Sequence, residues 1–156
     1  MQALSWFRPL EAQELRPRAL EVNQALRSQV ELVKIHAATG VALANLGNPG
    51  DASSQIQMGL DLTQQCGYRG GLVWCQVARA LNQLKGGDTS ASRETAASLT
   101  ATVNELQGNR FWSEIVTWWT GYSSSGPGST TNWLDGRDVT RARWLAVLPP
   151  ADRGSA

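Results

Sequence analysis

Apolar residues recur at intervals of three and four along much of this chain, the spacing of one helical face and not the alternation of a strand. Three such segments align without a gap at a spacing of 38: residues 35–47 (IHAATGVALANLG), 73–85 (VWCQVARALNQLK) and 111–123 (FWSEIVTWWTGYS). In that register Ile35, Val73 and Phe111 coincide, as do His36, Trp74 and Trp112, then Gly40, Ala78 and Val116, then Leu43, Leu81 and Trp119. Gly47, Asn48 and Pro49 stop the first segment, and Gly86 and Gly87 stop the second. An N-cap candidate follows each stop, Asp51 in one case and Asp88, Thr89 or Ser90 in the other. Second helices are predicted from there, with apolar stripes Ala52, Ile56, Leu60 and Ala91, Thr95, Leu99, Val103, closed by Gly67 and Gly108.

The pattern predicts an all-α protein of stacked antiparallel helix pairs. One such pair leaves its apolar stripe open, so neighbours must stack; a small up-and-down helical bundle is the alternative architecture. Residues 1–28 read as an N-terminal capping helix region, 29–122 as helix-pair repeats, 123–148 as a degenerate C-terminal unit and 149–156 as a tail. Upstream, Pro17 suits a helix start, and Leu20 to Leu46 form either one long helix or two with a break near Ser28. GYSSSGPGSTT at 121–131 has the composition of a flexible loop, and Pro149 and Pro150 stop a last helix over 138–148.

Gly40, Leu43, Gly47, Ala52, Ile56 and Gly59, with Trp74, Ala78, Leu81, Ala91 and Ser98, give a pattern that resembles the tetratricopeptide repeat over about residues 29–122. The period exceeds the usual 34 or so of that family, the proline near the end of its second helix is missing, and Trp118-Trp119 is foreign to it. The resemblance implies a groove lined by first helices that holds a segment of another protein. By register its positions are Lys34, Ala37, Val41, Ala44 and Asn45; Leu72, Cys75, Arg79, Asn82 and Gln83; and Arg110, Ser113, Thr117, Thr120 and Gly121.

Composition narrows the partners. A net charge of +1 over 156 residues supplies no field that would draw the chain to nucleic acid or to a membrane surface. Twelve of the 14 basic residues are arginine, which GC-rich codon usage explains more readily than anion binding. No run approaches the roughly 18 apolar residues of a membrane span. MQALSWFRPLEAQEL lacks the features of a secretory signal, which places the chain in the cytoplasm as an expectation. Cys66 and Cys75 match no zinc or redox spacing and read as reduced thiols.

Chemistry is sparse. His36, the one histidine, falls on the apolar stripe and reads as a packed imidazole, and no second histidine is present to build a metal set. The paired carboxylates Glu11/Glu14 and Asp135/Asp138 sit in polar surroundings and read as surface charge. The expectation is therefore a non-catalytic interaction or scaffolding module with no cofactor and no metal. Its partner-binding candidates are Lys34, Arg79, Asn82, Gln83 and Arg110, together with Trp118 and Trp133 from the segment that carries five of the seven tryptophans. The alternative is a small helical subunit of a multi-protein or ribonucleoprotein assembly, docking through that Trp-rich part, with Arg137, Arg141 and Arg143 toward phosphate.

Overall fold

The computed structural model describes residues 5, 6 and 8–106, which belong to one compact unit covering residues 1–108. After the helical residues Ser5 and Trp6 come five α-helices: α1 (Pro9–Leu26), α2 (Gln29–Asn45), α3 (Pro49–Cys66), α4 (Arg69–Lys85) and α5 (Thr89–Glu105). The described residues contain no strand, so the all-α expectation holds.

Turns two or three residues long join the helices, and the stops at Gly47, Gly67 and Gly87 follow the sequence expectation. Gly47 (φ 79°) and Gly87 (φ 86°) take the left-handed conformation that a side chain resists. Each is flanked by the same pair of hydrogen bonds, Asn48 N–H to Leu43 C=O with Gly47 N–H to Ala44 C=O, and Asp88 N–H to Gln83 C=O with Gly87 N–H to Leu84 C=O. This Schellman arrangement satisfies carbonyls that a helix end leaves open. Ser28 Oγ accepts from Glu31 N–H at 3.2 Å and Asp88 Oδ1 from Ala91 N–H at 2.9 Å, so both cap the helix that follows. The question at Ser28 is thus settled as a break between two helices.

Three expectations about boundaries need correction. Pro17 lies inside α1, which opens at Pro9 instead; it occupies an exposed position, where a carbonyl left unpaired by proline can reach water. Asp51 is in the first turn of α3 and does not cap it; Asn48 holds the cap position, and Pro49 begins the helix because its missing N–H costs nothing there. Gly108 lies outside the described residues; α5 has already ended at Glu105.

The interval between equivalent points is 40 residues, not 38. Pro9, Pro49 and Thr89 open helices, Gln29 and Arg69 open the helices between them, and the left-handed residues Arg27 and Gly67 end α1 and α3. Val33, not Ile35, therefore stands where Val73 stands, and Lys34, not His36, matches Trp74.

α2 packs on α1, α3 and α4; α4 packs on α2, α3 and α5; α3 and α5 do not pack on each other. Close approaches fall where side chains are small. A Cβ on Gly40 would stand 2.6 Å from Ile56 Cγ1, and one on Gly59 2.8 Å from Cys75 Sγ. In the next pair the same place is held by Ala80, whose carbonyl accepts from Ser92 Oγ at 2.9 Å. Ala80 and not Ala78 is thus the counterpart of Gly40. The core comprises Val33, Ile35, Ile56, Val73, Val77, Leu81 and Leu99 with many alanines between them.

Candidate functional site

The described residues assigned to a groove by the 38-residue register do not share one surface. Lys34 is half-buried and pairs with Glu31 at 2.6 Å. Arg79 donates to Gln57 Oε1 of α3 at 3.2 Å, and Gln83 accepts from Thr95 Oγ1 of α5 at 2.8 Å. In the 40-residue register Lys34 matches Trp74, and Arg79 lies five residues beyond that position. At about 100° per residue it faces well away from the Lys34 side.

Asn82 was expected on the surface and is buried instead. Its Nδ2 donates to Pro49 C=O at 3.1 Å and to Ser53 Oγ at 2.9 Å, tying α4 to the first turn of α3. Loss of the amide would leave both acceptors short of a donor, so this position serves folding. Cys75, Ala37, Val41 and Ala44, also placed in the groove by the resemblance, are buried too. Arg110, Trp118, Trp133, Arg137, Arg141 and Arg143, with Ser113, Thr117, Thr120 and Gly121, lie outside the described residues.

His36 also differs from expectation. It is half-buried where α1, α2 and α3 meet, and its Nδ1 lies 2.9 Å from Gln55 Oε1, which also accepts from an Arg16 guanidinium nitrogen at 3.2 Å. An amide oxygen as partner requires the proton on Nδ1. The imidazole is therefore part of a polar bridge, not of an apolar stripe. Burial pushes the Cys75 thiol up to about 12, which makes it unreactive as a nucleophile. Among the described residues no group of three or more His, Cys, Asp or Glu is placed to hold a metal ion.

What the structure adds is an apolar surface on α1. Five large apolar residues are exposed among those described, and four of them, Leu10, Leu15, Val22 and Leu26, belong to this helix. Leu15, Val22 and Leu26 follow at spacings of seven and four, within about 40° of one another round the helix, with the half-buried Ala19 beside them. Their exposures are 41%, 52% and 64%, although side chains of this size are usually turned inward. Ala12 and Asn23, the buried residues of α1, face α2 about a quarter turn away.

The 40-residue register explains why this strip is open. Leu15 and Ala19 stand where α3 has Gln55 and Gly59, and those two positions meet His36 of α2. α1 packs closely on α2 and reaches α3 through the Arg16–Gln55 hydrogen bond, so the side that α3 turns toward its preceding helix remains uncovered in α1 among the described residues. The reading of residues 1–28 as a cap does not by itself say which side the cap leaves bare. The seven-residue spacing from Leu15 to Val22 was the available signal.

No family model, curated protein or solved structure matches the chain.

Proposed function

We propose that this chain is a non-catalytic interaction module, a helix-pair stack of the tetratricopeptide kind, which holds a partner protein against the outer strip of α1. The observation that carries this reading is the row of Leu15, Val22 and Leu26, exposed on a helix whose adjacent face is packed on α2. A contiguous apolar strip rimmed by charge, here Glu11, Arg18 and Glu21, is the usual composition of a protein contact site. The 40-residue recurrence of turns and the close approaches at Gly40 and Ala80 support the repeat reading. Two unpaired cysteines, one of them buried, support a reducing compartment such as the cytoplasm.

The test compares a strip variant with a variant of the original groove, each used as bait in the same extract. Val22→Glu is expected to lose the captured partner while keeping the wild-type denaturation midpoint, because a half-exposed surface position tolerates charge. Arg79→Ala is expected to keep the partner. If Arg79→Ala loses it and Val22→Glu does not, the contact is at α4 and the α1 reading fails.

A further inference from the structure

We draw no further inference here: the strongest candidate, the exposed apolar strip of Leu15, Val22 and Leu26 along α1, carries nothing beyond the function already proposed, because nothing in the structure shows what covers it.

Discussion

Replacing Gly40 by valine should lower the stability of the helix stack by about 3 kcal/mol, the upper part of the range for overpacking a filled core. The reason is local. A Cβ at Gly40 would come within 2.6 Å of Ile56 Cγ1, 3.3 Å of its Cδ1 and 3.5 Å of the Ala52 carbonyl. Ile56 is branched at Cβ, is 2% exposed and has little freedom to turn away. Ile56→Ala alone should cost about 2 to 5 kcal/mol through the cavity it opens. Combining the two fills part of that cavity, so the double variant should be more stable than the sum of the single losses by about 1 kcal/mol or more. Urea denaturation of the four proteins measures this directly; strict additivity would mean that α2 and α3 do not cross at this pair.

The second large effect is expected at Gly71. A Cβ there would meet Val33 Cγ1 at 2.6 Å, Tyr68 Cδ1 at 2.7 Å and Thr63 Oγ1 at 2.9 Å, contacts from α2, from the turn and from α3. Alanine gains up to ~1 kcal/mol in helix propensity over glycine, while overpacking costs about 1 to 3 kcal/mol. With three neighbours crowded at once, two of them branched at Cβ, the packing cost wins. Gly71→Ala should lose about 2 kcal/mol net. Gly50, where an added Cβ meets nothing within 4 Å, is the matched control and should gain stability. Equal midpoints for the two alanine variants would contradict the close packing of α4 against α2 and α3.

These two sites also mark how far the sequence carried. Helical spacing and the stops at Gly47, Gly67 and Gly87 were legible because backbone conformation and capping act over a few residues. The register was not, and the reason lies in how α2 and α4 are packed. In α4 the run Val73 to Ala78 is buried without a break, since neighbours lie on three sides. An apolar residue there satisfies burial in almost any phase, so Ile35 could be matched to Val73 as well as Val33 could. Turn chemistry holds the phase better: Gly47 with Gly87, and Asn48 with Asp88, already stood 40 residues apart.

The candidate site was less visible for a related reason. Asn82 resembles a surface residue by type, yet it is buried because the first turn of α3 presents it with a carbonyl and a hydroxyl. Arg79 and Lys34 were grouped by a register two residues off, and two residues turn a helix through about 200°. The α1 strip, conversely, reads as ordinary amphipathicity, and only the placement of α2 shows that its apolar residues exceed what α2 can cover. Exposure of Leu15, Val22 and Leu26 is a property of the neighbour that α1 lacks among the described residues.

Amide hydrogen exchange, followed on the full chain alone and with the partner it captures from an extract, tests the central claim that the α1 strip is a contact surface most directly. Association restrains the local opening through which helical amides exchange. Exchange should slow on binding across residues 11–26, while amides of α4 around Arg79 and Gln83 stay unchanged. Protection confined to α4, or none in α1 when the partner is bound, would contradict the account.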